Sequence, residues 1–227
     1  MQIEILADAE AVAHRAAEVI AALAREAVAV RDRFVFAVSG GRTPQQMLRD
    51  LALEDIPWNR VQVVQVDERV APADHPDRNL TDLKKILAQS PLGPEQIYPM
   101  PVEQRDLAMA AARYASTLRE LAGRPPVLDL VHLGLGVDGH TASLVPDDPV
   151  LEVDDVDVAV TGIYQGRRRM TLTFPVIDRA RSILWVVTGR EKARAFARLR
   201  AGDRTIPAGR VNRANALVLA DSSAAGV

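Results

Sequence analysis

Asp138 and His140 stand two residues apart in a glycine-dense stretch, Gly134 to Ser143, and they are well suited to acid–base chemistry. The glycines give this stretch backbone freedom and allow a ligand to approach the main chain closely. A histidine has an unperturbed pKa of about 6.5, so near neutrality it can take a proton from water and return one. A nearby carboxylate could orient the imidazole and stabilise its charged form. Spacing alone does not fix how the two side chains meet, but the pattern predicts a catalytic loop.

A second glycine turn, Ser39-Gly40-Gly41-Arg42-Thr43-Pro44, follows the β-prone run Phe34 to Val38. Thr43 suits the N-cap of a following helix, and Pro44 suits its first position. Free N–H groups and the positive end of the helix dipole attract phosphate there, and Arg42 can add a charged donor. The plainer interpretation is a tight strand-to-helix turn. Because Ser, Thr and Arg share the turn, we favour phosphate binding.

Asp67-Glu68-Arg69 ends another β-prone run, Val61 to Val66. Open α/β sheets bind ligands at the carboxyl ends of their strands, so these polar groups are candidates for the same site. A solvated turn is the alternative, and it would be preferred if the run stood alone.

Two more cationic side chains are candidates for the same site. Arg169 begins the β-prone run 169–173 and follows two other arginines, so a solvated basic face and a side chain directed into a site are equally open. Lys192 lies in the first turn of a predicted helix over 191–199, where the helix dipole does not favour a cation. That placement favours a ligand for Lys192.

The other histidines are interpreted structurally. His14 lies in a predicted helix, and His75 lies in a polar loop where we expect it to be exposed, although a role in a lid is conceivable. His132 belongs to the predicted strand 128–133, in which neighbouring residues point to opposite faces of the sheet. We expect it to be a core histidine with a satisfied hydrogen bond.

These residues require a scaffold of strands alternating with helices. Predicted strands cover 1–6, 34–38, 61–66, 97–98, 128–133, 156–161, 169–173, 183–187 and 216–219. Predicted helices cover 9–28, a segment starting at 43 or 44, 80–88 with Asn79 as its cap, 106–121, 175–180 and 191–199. The pattern predicts a single α/β domain over 1–227, with a Rossmann-like, mostly parallel β-sheet and helices on both faces.

Composition narrows the function. The formal net charge is −2, and basic residues are spread along the chain, so we expect no nucleic-acid partner. No apolar run reaches the length of a membrane span, and no leader pattern opens the chain, which favours a cytoplasmic protein without a membrane partner. No cysteine is available as nucleophile or ligand, and no histidine or carboxylate spacing indicates a metal site. Water is therefore the expected nucleophile, with no cofactor; a monomer is favoured, although the oligomeric state stays open.

Taken together, five blocks resemble the sugar-phosphate lactonases, the 6-phosphogluconolactonases, which share an α/β superfamily with glucosamine-6-phosphate deaminase. The blocks run along nearly the whole chain: Ser39 to Pro44, Val66 to Arg69, Gly134 to Ser143, Arg169 to Pro175 and Gly189 to Ala193. Each block is weak alone, but their order and spacing are together highly specific. Arg42 and Arg78 depart from the family pattern, which usually has small hydroxyl residues at these two positions.

The resemblance implies hydrolysis of 6-phospho-D-glucono-1,5-lactone to 6-phosphogluconate in the oxidative pentose phosphate pathway, without a cofactor. It implies that His140 activates water and that Asp138 orients His140. Arg69 and Lys192 would stabilise the oxyanion or hold phosphate, and Asp67 would line the site. The remaining phosphate-binding candidates are Ser39, Gly40, Gly41, Arg42, Thr43 and Arg169.

Two alternative functions compete with this interpretation. The deaminases have an aromatic residue where this chain has Arg69, and a glutamate that takes part in ring opening where this chain has Val145. The apolar Val145 therefore argues against deaminase chemistry. A non-catalytic sugar-phosphate sensor would need a DNA-binding module, for which we expect no room from Met1 onward.

Overall fold

The computed structural model describes residues 1–41 and 43–227, so the predicted role of Arg42 lies outside the described residues. The strands are β1 (Gln2–Leu6), β2 (Phe34–Val38), β3 (Val61–Gln65), β4 (Asp67–Arg69), β5 (Ile97–Tyr98), β6 (Leu130–Leu133), β7 (Val158–Val160), β8 (Arg169–Leu172), β9 (Ser182–Val187) and β10 (Ala216–Asp221). The α-helices are α1 (Ala9–Arg31), α2 (Thr43–Leu51), α3 (Asn79–Leu87), α4 (Leu107–Ala122), α5 (Phe174–Asp178), α6 (Ala193–Ala201) and α7 (Ser222–Ala225).

Seven parallel strands form the central sheet, in the order β1-β10-β9-β6-β2-β3-β5. Every residue of β2 is buried, as expected for a central parallel strand covered on both faces. One face packs against α1, α2 and α3, and the other against α4, α5 and α6. The predicted Rossmann-like α/β fold with helices on both faces is confirmed.

Helix α1 packs closely because its buried side is mostly alanine, including Ala13, Ala17 and Ala24. Asp8 caps it by accepting a hydrogen bond from the N–H of Ala11 at 2.9 Å. Although α1 has 23 residues, none of the described helices combines the length and hydropathy that a membrane crossing requires.

A second, three-stranded antiparallel sheet, β4-β8-β7, was not predicted as a separate sheet. The run 61–66 was predicted as one strand, with Asp67 to Arg69 as polar groups at its end. Instead, β3 ends at Gln65, and Asp67, Glu68 and Arg69 form β4, which pairs with β8. This pairing sets Arg69 directly opposite Arg169. The second sheet therefore carries two predicted site residues to one place.

Candidate active site

The loop after β6 holds Asp138 and His140 in contact. Nδ1 of His140 lies 2.6 Å from Oδ1 of Asp138, which also accepts the backbone N–H of His140 at 3.1 Å. Nε2 of His140 makes no hydrogen bond to any described residue, and the side chain lines a cavity of about 550 Å³. A carboxylate that accepts from Nδ1–H leaves Nε2 unprotonated and able to take a proton. The pair predicted from the sequence is thus assembled as a base directed at a cavity.

The glycine at 136 is required by this pair. A Cβ atom there would overlap the imidazole of His140 and would lie 2.6 Å from Oδ1 of Asp138. Gly139 has a φ of 86°, a left-handed value that favours glycine, and a Cβ at this position would meet Ile206. The glycine pattern that identified the loop therefore has a steric cause at two positions.

Asp138 is held in its ionised form. Burial alone would raise the pKa of this carboxyl, but the His140 imidazole, the His140 N–H and the Tyr164 hydroxyl together hold the pKa below its usual value. Tyr164 was not predicted from the sequence as a site residue. Its hydroxyl donates to Oδ2 of Asp138 at 2.9 Å, so each carboxylate oxygen has its own partner.

Three predicted cations, Arg69, Arg169 and Lys192, line the same cavity. Arg69 and Arg169 are cross-strand neighbours, an arrangement that repels unless an anion or a carboxylate offsets it. Nε of each arginine is buried with no hydrogen-bond partner in the described part of the chain. Burial also lowers the pKa of Arg169, with Arg69 adding to the effect. Such an arrangement of cations can bind an anion.

The predicted phosphate-binding turn borders the cavity through Ser39, Gly40, Gly41 and Thr43. Thr43 was predicted to be the N-cap and Pro44 the first helical residue. In the structure α2 begins one residue earlier, at Thr43. The hydroxyl of Thr43 lies 3.3 Å from that of Thr188, which also lines the cavity. The helix N-terminus therefore points at the cavity that the arginines share.

The sequence predicted Lys192 in the first turn of a helix over 191–199, but in the structure Lys192 precedes α6. A 3₁₀ turn, Arg190–Lys192, precedes the helix, and Lys192 occupies the position immediately before Ala193. Gly189, at a φ of 97°, donates its N–H to the carboxylate of Asp221 at 3.0 Å. The turn is thereby tied to the end of β10, with Lys192 at the cavity wall.

Asp67, whose role the sequence left unassigned, is buried beside the arginines. It accepts a hydrogen bond from the hydroxyl of Ser143 at 2.6 Å and one from the side-chain amide of Asn79 at 3.2 Å. Nη1 of Arg169 lies 3.5 Å from the same Ser143 hydroxyl. The Ser143 hydroxyl therefore links Asp67 on β4 and Arg169 on β8 to the loop after β6.

The prediction that Asn79 caps α3 is wrong. The carboxylate of Glu68 accepts the N–H groups of Asn79 and Leu80 at 2.8 and 2.9 Å. Asn79 has turned its side chain to Asp67 instead. Glu68 is fully buried, and Nε of the buried Arg78 lies 3.1 Å from it. A buried ion pair thus lies at the start of α3, next to Asn79, which lines the cavity.

His132 is buried, as predicted, but only one of its ring nitrogens is satisfied. Nδ1 accepts the N–H of Ser39 at 3.3 Å, whereas Nε2 has no partner among residues 1–41 and 43–227. The residue lines the cavity. Burial lowers the pKa of His132 to about 4, so the ring is neutral at physiological pH.

This burial predicts an acid-sensitive stability. The unfolded chain binds a proton at His132 below about pH 6.5, whereas the folded chain does not until about pH 4, so the free energy of unfolding falls as the pH drops through this window. The full loss is on the order of 3 kcal/mol. Urea titrations at several pH values should show this loss in the native protein and its removal in His132→Leu. An equal pH dependence in both proteins would contradict the assignment.

Comparisons with known proteins identify the family of the chain. The family model described as glucosamine-6-phosphate isomerases/6-phosphogluconolactonase matches residues 7–219. The chain belongs to this family. The resemblance drawn from the five sequence blocks is thereby confirmed.

One relative, a 6-phosphogluconolactonase of Synechocystis sp., is 36% identical to this chain over 203 residues. The match covers 87% of this chain and 84% of the relative. A solved 6-phosphogluconolactonase of Thermotoga maritima superposes with a TM-score of 0.86 at 24% identity, covering 97% of this chain and 98% of that one. A monomeric glucosamine-6-phosphate deaminase superposes equally well, with a TM-score of 0.87 at 19% identity over 100% of this chain and 99% of that chain. The fold alone does not separate the two activities, so the side chains must.

Proposed function

We propose that this protein is a 6-phosphogluconolactonase that hydrolyses 6-phospho-D-glucono-1,5-lactone to 6-phosphogluconate in the oxidative pentose phosphate pathway. The observation that carries the proposal is the Asp138–His140 pair at 2.6 Å, with a free Nε2, on a cavity shared with three cations. The named relatives support the enzyme class predicted from the sequence. The expected cytoplasmic location, single domain and monomeric state stay predictions.

In the proposed reaction, Nε2 of His140 takes a proton from a water molecule as its oxygen attacks the lactone carbonyl carbon. The new C–O bond yields a tetrahedral intermediate with a negatively charged oxygen. When that intermediate collapses, the ring C–O bond breaks, and the imidazolium returns its proton to the departing ring oxygen. Asp138 holds the ring through Nδ1 and stabilises its charged form. No group other than water is consumed.

The cations divide between two negative charges, the phosphate and the developing oxyanion. Arg169 and Lys192, with Ser39, Gly40, Gly41 and Thr43, are assigned to the phosphate because all of them line the cavity that the N-terminus of α2 borders. Arg69 is assigned to the oxyanion. Its Nη1 is held by the carbonyl of Asp77 at 2.8 Å, while its buried Nε has no partner in the described chain.

Val145 disfavours the deaminase reaction. The position at which the deaminases have a glutamate is an apolar side chain here, and it is 3% exposed. Ring opening and amine release need a further acid–base group that Val145 cannot supply. Lactone hydrolysis needs only the base, the water and a site for the oxyanion, which the described residues can provide.

The test is acid release from freshly prepared 6-phosphogluconolactone, measured above the spontaneous rate. We expect kcat/KM at least about 100-fold higher for this substrate than for unphosphorylated gluconolactone, because the lactone without phosphate leaves the cations unpaired. Glucosamine 6-phosphate should release no ammonia. Failure to accelerate lactone hydrolysis, or ammonia release at a comparable rate, would overturn the proposal.

A further inference from the structure

Tyr164 lies on a short hairpin between β7 and β8 that reaches the catalytic pair. Tyr164 and Arg167 exchange backbone hydrogen bonds of 2.9 and 3.2 Å. The two residues between them, Gln165 and Gly166, have φ values of 50° and 78°, as in the tight hairpin turns that need left-handed backbone. Nε of Arg167 donates to Asp77 at 2.6 Å, which fixes the hairpin against the loop after β4. His75, predicted to be uninvolved, also lies in that loop, 3.4 Å from Arg167.

From this hairpin, Tyr164 contacts both parts of the pair. Its hydroxyl donates to Oδ2 of Asp138 at 2.9 Å and lies 3.5 Å from Nδ1 of His140. The two rings meet edge to face, with centroids 5.5 Å apart. The guanidinium of Arg169 lies over the tyrosine ring, 4.9 Å from its centroid.

These contacts fix a torsion that is otherwise soft. The carboxylate of an aspartate rotates through a broad range about its last bond. With Oδ2 held by Tyr164, the carboxylate cannot rotate freely, and Oδ1 stays directed at Nδ1 of His140. An imidazole held in this way keeps its proton on Nδ1, which leaves Nε2 free.

We propose that Tyr164 is a positioning residue that acts through Asp138 to keep His140 in the tautomer with a free Nε2. Its catalytic consequence rests on the proposed function, whereas the tautomer itself does not. Burial and the neighbouring Asp138 raise the pKa of Tyr164, so the phenol remains a donor at neutral pH. The Tyr164 ring also packs against Arg169, which lines the cavity, so the test has to separate positioning of His140 from substrate binding.

Tyr164→Phe removes the hydroxyl and keeps the ring. We expect kcat for the lactone to fall about tenfold while KM changes less than about twofold. Tyr98→Phe is the matched control, since Tyr98 lies on the edge strand β5 away from this cavity, and it should leave both constants unchanged. An increase in KM with kcat unchanged would show that Tyr164 acts in substrate binding beside Arg169, and it would overturn the proposal.

A double-mutant cycle adds a second measurement. If Tyr164 acts through Asp138, Tyr164→Phe should have little further effect on kcat in an Asp138→Asn background. Equal effects in both backgrounds would show that the hydroxyl acts independently of the carboxylate.

The tautomer can be observed without a substrate. Imidazole nitrogen shifts of His140, assigned by comparison with His140→Ala, should show a single Nδ1–H form in the native protein. In Tyr164→Phe we expect a mixture with the Nε2–H form. An unchanged single tautomer would overturn the proposal even if the protein proves to be a lactonase, and a mixture would support it even if the activity assay fails.

Discussion

Replacing His140 with alanine is expected to lower kcat for lactone hydrolysis by about 10²–10⁴-fold, the usual contribution of a positioned acid–base group. The His140 imidazole lines the cavity, and its Nε2 is free because Nδ1 is the nitrogen that contacts Asp138. Its removal leaves the cations in place, so KM should change much less than kcat. The measurement is acid release above the spontaneous rate, with substrate varied to separate the two constants.

His14→Ala is the matched control for this variant. His14 lies on the outer face of α1 with 67% of its side chain exposed, and its loss should not affect the rate. Full activity in His140→Ala would show that the base is another group. Asp138→Asn should also be strongly impaired, because an amide cannot stabilise the imidazolium and can favour the wrong tautomer.

The pH profile of the native enzyme provides an independent test of the same residue. A histidine base predicts that the rate falls on the acid side as the imidazole takes up a proton. Asp138 does not contribute a limb there, because its neighbours hold its pKa below the usual value and it stays ionised. A pH profile with no loss of rate on the acid side would contradict a histidine base.

The sequence predicted most of the scaffold because its signals are local. The apolar run of β2 and the alanine face of α1 each specify one element without reference to the rest of the chain. Polar residues after parallel strands meet at one edge of the sheet, and for that reason Ser39 and His140 were correctly expected near one another. Element ends shifted by a few residues, as at β3 and α6.

Non-local pairings could not be predicted in this way. The second sheet joins 67–69 to 169–172, which are separated by about a hundred residues, and no short-range pattern encodes that contact. The opposition of Arg69 and Arg169 follows from this pairing. Tyr164 was missed because a tyrosine before Gln-Gly signals a turn but not what the turn approaches.

The capping of α3 shows how a local rule was overridden. Asn79 matched the preferred N-cap residues, yet Glu68, eleven residues earlier, supplies the acceptor. Burying that carboxylate requires several donors, and besides the α3 amides it accepts from Gln65 at 2.9 Å and from the N–H of Arg69 at 2.7 Å. Arg78 completes the set with its charge. Its departure from the small residue usual in the family thus coincides with a buried ion pair in this chain.

Arg78→Met is expected to lower the free energy of unfolding by about 3–5 kcal/mol, the cost of leaving a buried charge without its partner. The Arg78 side chain is 1% exposed, and its Nη1 also lies 2.5 Å from Glu103 and 3.1 Å from the carbonyl of Ala71. Burial alone would lower the pKa of Arg78, but Glu103 and Glu68 outweigh it and raise the pKa above its usual value. Methionine fills similar space but offers Glu68 no charge.

Urea denaturation of the native protein, Arg78→Met and the control Arg105→Met measures the effect. Arg105 is exposed, so its replacement should change stability by less than about 0.5 kcal/mol. Adding Glu68→Gln to Arg78→Met should cost less than the sum of the two single changes, because the double variant no longer buries a lone charge. A loss below about 1 kcal/mol in Arg78→Met would mean that the backbone and Gln65 donors alone compensate Glu68. Additive losses in the double variant would show that Arg78 stabilises the fold through its other contacts and not through the charge of Glu68.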